Sequence, residues 1–425
     1  MTVAIERTVR RFKPYSGYKD SGVEWLGLIP SAWEVKPLKH LTTFATGWTP
    51  PTGRADLYGG EHLWANIGDL GPRLLTRTEK TITDAAIQEA GLRVVKAGSL
   101  LFSFKLSVGA VSIAGVDMYT NEAIAAFAPS KLIDTRYLYW AAPVLVPQNA
   151  QENIYGAPLL SRERIANALL LHPPQADQRA IADFLDRETT KIDDLIAKKE
   201  RLIELLHKKR TALITRAVTR GLDPNVPMKD SGVEWLGEIP AHWEVQALGR
   251  MTECLDGRRV PLNAEERGRM RGEYPYWGAN GIVDYIDRWS FDEELVLLGE
   301  DGAPFFDRSR PVAFCVSGKF WVNNHAHVLR PRGMVPSFLA HSLNCVDYHL
   351  FIDGTTRDKL TQGNMKRIPL QRPPVSEQRA IAEFLDRETG KLDGLVAKVR
   401  EGMERLKEFR SALITAAVTG KIDVR

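Results

Sequence analysis

Between positions 178 and 219 the chain runs 42 residues without proline or glycine. Within that run apolar side chains return at alternating steps of four and three: Ile181, Leu185, Ile192, Leu195, Leu202, Leu206 and Leu213, with Glu188, Lys199 and Lys209 as polar breaks. That spacing predicts a long amphipathic helix whose seam faces a partner helix. Pro173 and Pro174 stop whatever precedes it, Asp177 stands where an N-cap belongs, and Gly221 with Asp223-Pro224 ends it. At about 1.5 Å per residue the rod would be roughly 60 Å long. A second seam reads Ile381, Leu385, Leu392, Leu395, Val399, Leu406, Phe409 and Leu413. Gly390, Gly394 and Gly402 lie in this second helix. Each weakens it by about 1 kcal/mol relative to alanine, which predicts reliance on a partner. Elsewhere the pattern is shorter. Segments 63–67, 99–104, 111–113 and 294–298 read as strands, 137–141 and 337–341 as helices, punctuated by Gly98, Gly109, Gly299, Gly302 and Gly318. The fold class is α+β.

The helices belong to a larger repetition. KDSGVEWLGLIPSAWEV at 19–35 returns as KDSGVEWLGEIPAHWEV at 229–245, with 14 of 17 positions identical. QRAIADFLDRET at 178–189 returns as QRAIAEFLDRET at 378–389, 11 of 12 identical, and ALITRAVT at 212–219 returns as ALITAAVT at 412–419. Each half is a constant opening, a variable middle and a constant close. The middles share no such match and differ in length by ten residues. Constant parts should perform one job twice, and divergent parts two different jobs. A duplication whose middles merely drifted would have to spare surface-like text such as KDSGVEWLG, which core packing alone does not hold.

Geometry follows from the order. The second middle begins just after helix one and leads into helix two, so a compact second middle makes those helix ends neighbours and the helices antiparallel; the alternative is that each helix packs on a separate partner, and the matching seams favour mutual packing. The expected architecture is two mixed α/β domains separated by two long antiparallel helices in a coiled-coil rod, with an internal pseudo-two-fold. The boundaries read 1–172 (with an N-terminal extension 1–18), 173–221, 222–372 and 373–425.

Composition narrows the function without naming it. The chain has 425 residues, 44% hydrophobic and 26% charged, with a net charge of +4. That is ordinary for globular protein, and too long for one core. Residues 36–172 carry 13 basic and 11 acidic side chains, and residues 246–372 carry 17 and 16, so any polyanion must be met by local arrangement. There is no apolar run of membrane length and no secretory h-region. Cys254, Cys315 and Cys345 stand apart, which argues against a disulfide framework or zinc site and fits a reducing cytoplasm. GxGxxG before a helix, a Walker lysine, HExxH and the adenine-methyltransferase tetrad are all missing. His325 and His327 alternate in a strand with no evident third ligand, and read as structural.

The paired openings and the PPxxEQRAIAxFLD close resemble the specificity subunit of type I restriction–modification systems. The first close departs slightly, as Pro-Pro-Gln-Ala-Asp-Gln-Arg. YPYWGANGIVDYID and GKFWVNNHAHVLRP in the second middle resemble one lineage of its target recognition domains, and TGWTPPTG with YGGEHLWANIGDL in the first middle resembles another. The resemblance implies that each such domain reads one half of a split double-stranded DNA site and that the rod sets the gap. It implies that two modification (methyltransferase) subunits dock on the repeated helices and that restriction subunits complete the assembly. It also implies a non-catalytic chain that binds no cofactor itself, with S-adenosylmethionine, ATP and Mg held by partners. Candidate DNA contacts in the first middle are Thr46, Trp48, Thr49, Arg54, Ser103, Lys105 and Ser107. In the second they are Arg258, Arg259, Asn280, Lys319, Thr355, Thr356, Arg357, Lys359 and Gln362. Arginine and lysine suit guanine edges or phosphate, and asparagine or glutamine suits adenine. Docking and helix pairing fall to Ile181, Leu185, Ile192, Leu195, Leu202, Leu206, Ile381, Leu385, Leu392, Leu395 and Leu406. Two competing readings are a bivalent scaffold without DNA binding and a self-sufficient enzyme.

Overall fold

The computed structural model describes residues 12–105, 107–152, 158–352 and 358–425. It divides into two units. The first holds residues 1–197 with 402–425, and the second holds 198–401. The two long helices run Gln175–Arg220 and Val375–Val418. Each unit therefore contains the first half of one long helix and the last half of the other.

Repeated text folds the same way twice. Each opening begins with a small antiparallel hairpin, Tyr18–Asp20 on Leu28–Pro30 and Met228–Asp230 on Glu238–Pro240, in matching register. The next strand pairs antiparallel with the strand that leads into a long helix: Glu34–Pro37 with Leu169–His172, and Glu244–Ala247 with Pro369–Arg372. Opening and close thus clasp each other, and the variable stretch is an insertion between them.

A tryptophan pins each clasp. Trp33 is fully buried and its Nε1 donates to Asp177 Oδ2 at 3.1 Å. Trp243 is equally buried and donates to Glu377 Oε2 at 2.9 Å. Asp177 therefore does not cap its helix from outside. The helix starts at Gln175, directly after Pro174, so Asp177 lies in the first turn and accepts the indole N–H. The far side of each tryptophan meets the end of the other long helix. Gly221 and Gly420 adopt φ of 73° and 69°, the left-handed form that closes a helix. A Cβ there would stand 3.3 Å from Trp243 and 3.0 Å from Trp33, respectively. One helix start and one helix end meet at each tryptophan, so within each unit the paired segments are antiparallel. Two ion pairs repeat the arrangement: Arg410 with Asp193 at 2.9 Å in the first unit, and Arg210 with Asp393 at 3.3 Å in the second.

The buried spacing of the helices differs from the expected seam. Ile181, Leu185 and Ile192 are buried, as are Ile381, Leu385 and Leu392, but Leu195, Leu202 and Leu395 are exposed. Val396 and Met403 take the inner positions instead, with Ile196 half-buried against the core of the first unit. Leu206 and Leu406 are half-buried. The inner residues recur every eleven positions, 181 to 192 and 381 to 392 to 403, which is 3.67 per turn rather than the heptad's 3.5.

The two variable insertions share a frame that their sequences hide. The first carries an antiparallel-cored sheet in the order Phe44–Thr46, Ile124–Phe127, Leu100–Ser103, Val111–Ala114, with Leu74–Leu75 added in parallel at the edge. The second has Thr252–Cys254, Ala326–Pro331, Leu295–Gly299, Ala313–Val316 in the same order. Helices Thr135–Leu145 and Pro336–Leu343 follow at equivalent points. Buried glutamines in the repeated close hold both. Gln178 Oε1 accepts from Asp134 N and Gln378 Oε1 from Val335 N, each at 2.7 Å. The domains part at their second sheets, which have three strands in the first (Tyr119–Thr120, Tyr58–Ala65, Lys80–Ile82) and four in the second (Gly281–Ile286, Arg271–Gly278, Lys319–Val322, Phe291–Asp292). Strand 63–67 was expected as one piece, but Asn66 caps a 3-10 turn over Ile67–Asp69 and the strand stops at Ala65.

Candidate nucleic-acid interface

In the first unit, Gly47 and Trp48 leave strand Phe44–Thr46 and pair with the backbone of Asn121 and Thr120 at 3.2 and 3.0 Å. This brings Thr46 and Trp48 to one cleft of about 440 Å³, together with Arg93, Tyr119, Thr120 and Arg162. Other candidates are already engaged. Thr49 donates to the Glu122 carboxylate. Arg54 makes a two-pronged contact with Asp56 at 2.8 and 2.9 Å and reaches Glu89 at 3.4 Å. Ser103 is fully buried and its hydroxyl donates to the Lys105 carbonyl at 3.0 Å, tying the turn that presents Lys105 and Ser107. Ser103 is thus a support for that turn rather than a surface group.

The second unit brings Arg259, Asn280 and Lys359 to the end of strand Leu295–Gly299. Glu300 receives Arg259 Nη1 at 2.6 Å and lies 3.5 Å from the Lys359 ammonium. Asn280 Nδ2 donates to the Gly302 carbonyl at 3.2 Å. Arg259 also donates to the Ala326 carbonyl at 2.7 Å, so its guanidinium holds the loop together from within. Arg258 reaches Glu293 at 3.2 Å and lies over the Phe291 ring at 4.5 Å. The Lys319 ammonium sits 3.8 Å above the exposed Trp289, whose neighbour Tyr274 packs edge-on at 4.9 Å. Gln362 donates to Cys254 Sγ at 3.0 Å. Thr355, Thr356 and Arg357 lie outside the described residues.

Sequence reading missed the group behind this cluster. Cys254, Asp256 and His327 converge within 4.8 Å, a spacing that could hold a metal ion. The hydrogen bonds assign them otherwise. His327 is buried, with Nδ1 at 2.6 Å from Asp256 and Nε2 at 2.8 Å from the Leu360 carbonyl, so neither ring nitrogen is spare. Burial pushes the Asp256 carboxyl up, but His327, the Val328 N–H and Arg259 outweigh it and hold its pKa down at about 2. The network ties the 3-10 turn Asp256–Arg258 to strand Ala326–Pro331, beneath the loop that presents Arg259 and Lys359.

The outer surface of the repeated text differs from these two sites. Lys19, Asp20, Glu24 and Trp25 are exposed on the first opening, as are Lys229, Asp230 and Glu234 on the second. A groove of about 1020 Å³ runs along the end of the first long helix, past Lys208, Thr215, Thr219 and Arg308. A smaller one of about 410 Å³ lies at the equivalent Thr415 and Thr419, beside Trp25.

A family model described as the type I restriction modification DNA specificity domain matches the chain twice, over residues 30–205 and 240–398. The chain belongs to this family. A putative type I restriction enzyme specificity subunit of Haemophilus influenzae is 32% identical over 160 residues, 37% of this chain and 38% of that protein. The MjaIX specificity subunit of Methanocaldococcus jannaschii is 27% identical over 59% of this chain and 58% of its own length. The chain thus spans about two fifths to three fifths of these two relatives. The EcoprrI specificity subunit of Escherichia coli is 22% identical over 89% of this chain and 90% of that one. Among solved structures, a chain from work on complex assembly and conformational transition of the type I R-M system superposes with a TM-score of 0.70 at 14% identity, covering 92% of this chain and 98% of that one. HsdS from Thermoanaerobacter tengcongensis gives 0.51 at 14% identity, covering 93% and 98%. At that identity the likeness is one of fold. Two specificity domains in one chain agree with the two clasped insertions.

Proposed function

We propose that this chain is the DNA-recognition subunit of a type I restriction–modification assembly and is not itself a catalyst. The observation that carries the reading is the pairing of two alike clasps with two unlike insertions. Each insertion reads one half of a split double-stranded site, and the long helices set the number of bases between the halves. The repeated outer surfaces dock two copies of a methyltransferase subunit, one beside each insertion. The exposed Leu195 and Leu395 support this, because they are repeat mates left uncovered by the helix pairing. S-adenosylmethionine, ATP and Mg belong to the partner subunits, and restriction subunits complete the machine. No helix among the described residues is long and apolar enough to cross a membrane, in keeping with action on DNA in the cytoplasm.

The direct test is modified-base sequencing of cells that express this chain with its methyltransferase partner. A split motif with one methylated adenine in each half is expected, and a genome without such a motif refutes the reading. The scaffold alternative is separated by filter binding, since a DNA reader loses affinity steeply as salt rises and a scaffold shows no DNA binding at all.

A further inference from the structure

The cleft in the first unit is built in a way that loop-surface DNA contacts do not require. Gly47 presses on the Thr120 backbone so closely that a Cβ would fall 1.6 Å from that carbonyl oxygen, so only glycine lets the two segments meet. Their contact sets Trp48, whose own carbonyl accepts Trp64 Nε1 at 2.9 Å. Tyr119 is held edge-on by His62 at 5.7 Å. Leu92 and Val95 complete an apolar wall, and no carboxylate lines the cleft among the described residues.

Two features point to a ligand. Thr120 lines the cleft with only 1% of its surface exposed, and its hydroxyl has no hydrogen-bond partner among the described residues. A hydroxyl taken from water and left unpaired is disfavoured unless something else completes it. At the mouth, Arg93 and Arg162 are exposed and form no ion pair among the described residues. Aromatic faces, a withdrawn hydroxyl and two cations in about 440 Å³ suit a planar heterocycle that carries an anion.

We propose that this cleft is a single-nucleotide site. The base lies against Trp48 and Tyr119, its polar edge completes the Thr120 hydroxyl, and its phosphate rests with Arg93 and Arg162. The nucleotide is either one displaced from a DNA strand, in which case the site rests on the DNA reading above, or a free nucleotide.

The test uses the full-length chain and calorimetric titration with each of the four deoxynucleoside 5′-monophosphates, with inorganic phosphate as control. At least one nucleotide is expected to saturate one site. Thr120→Val should weaken it by about tenfold, the worth of one hydrogen bond, and should melt no lower than the parent because it removes an unpaired buried group. An Arg93→Ala/Arg162→Ala variant should lose affinity for nucleotide and keep the parent's melting temperature. Displacement of the nucleotide by a mixed-sequence single-stranded oligomer assigns the site to a DNA strand, and failure of displacement assigns it to a free nucleotide. The proposal is overturned if no monophosphate binds into the millimolar range, if phosphate alone competes as well as the best nucleotide, or if both variants bind like the parent. Duplex binding in the presence of the methyltransferase is scored separately. If that binding survives while mononucleotides fail, the cleft proposal falls and the DNA reading stands.

Discussion

The two tryptophan pins allow a comparison inside one molecule. Trp33 and Trp243 are both fully buried and both donate to a carboxylate in the first turn of a long helix. Replacing either by phenylalanine removes the same N–H and a similar volume, so the cavity contribution largely cancels between them. The acceptors differ. The Asp177 side chain is 8% exposed, and its other cation, Arg425, stands off at 3.7 Å. The Glu377 side chain is 40% exposed and keeps His242 at 2.7 Å. Water can replace the lost donor at Glu377 but hardly at Asp177. A hydrogen bond to a buried charged group is worth about 1.5–3 kcal/mol, against about 0.5–1.5 kcal/mol for one that water can replace. Trp33→Phe should therefore cost about 1–2 kcal/mol more than Trp243→Phe, a factor of about 5 to 30 in the local opening equilibrium. Native-state hydrogen exchange resolves the two sites separately, through peptides covering 28–37 and 238–247. Equal acceleration in the two variants, or a larger effect at Trp243, would refute the claim that burial of the acceptor decides the cost.

Gly390 and Gly394 lie inside the second long helix with nothing within 4 Å of where a Cβ would stand. Alanine at each should stabilise the chain by about 0.5–1 kcal/mol, read as a raised urea midpoint at unchanged slope; a lowered midpoint would mean that face is covered in the chain itself. Asp256 has a folded-state pKa near 2, below its ordinary 3.8, so its contribution to stability is complete above about 3.8 and is lost as pH falls toward 2. Asp256→Asn should flatten that part of the acid unfolding curve, and an unchanged acid limb would show the carboxylate unpaired in solution. Arg410→Asp should weaken the helix pairing by no more than about 1 kcal/mol, and adding Asp193→Arg should restore most of it, because both partners are partly solvated. A double variant no better than the single would remove this pair from the antiparallel register.

Much of the frame was legible because it is written twice. Exact repetition of WEV at 33–35 and 243–245 and of QRAIA at 178–182 and 378–382 marks segments whose environment recurs, and the structure shows why. Trp33 and Trp243 each need a helix start and a helix end around them, and Gln178 and Gln378 each carry a domain through a backbone N–H. The shared sheet order of the two insertions was not legible, because many apolar sequences satisfy the same buried strand positions. Site residues were harder still. Arg54, Arg258 and Arg259 have the chemistry of DNA contacts, yet each is paired with a carboxylate distant in sequence, Glu89, Glu293 or Glu300. Thr120 is silent in the sequence because a lone threonine in a strand carries no signal; its isolation exists only once Gly47 has brought a second segment against it.

The helix seam shows the same limit in a sharper form. Leucines at 195, 202 and 395 satisfy a heptad, which places them on a seam for docking or helix pairing, while the residues turned inward follow an eleven-residue period. An ideal helix has 3.6 residues per turn, so 3.5 and 3.67 lie about equally far from it and a short window contains both patterns. What separates them is the partner. The heptad demands a left-handed supercoil, whereas each half-helix here must meet a tryptophan clasp at one end and an antiparallel neighbour along its side. The eleven-residue period keeps Ile181, Leu185 and Ile192 turned toward the clasp's core. It leaves the heptad leucines outside and uncovered by the described residues, and of these Leu195 and Leu395 are repeat mates, whereas the mate of Leu202 is Gly402.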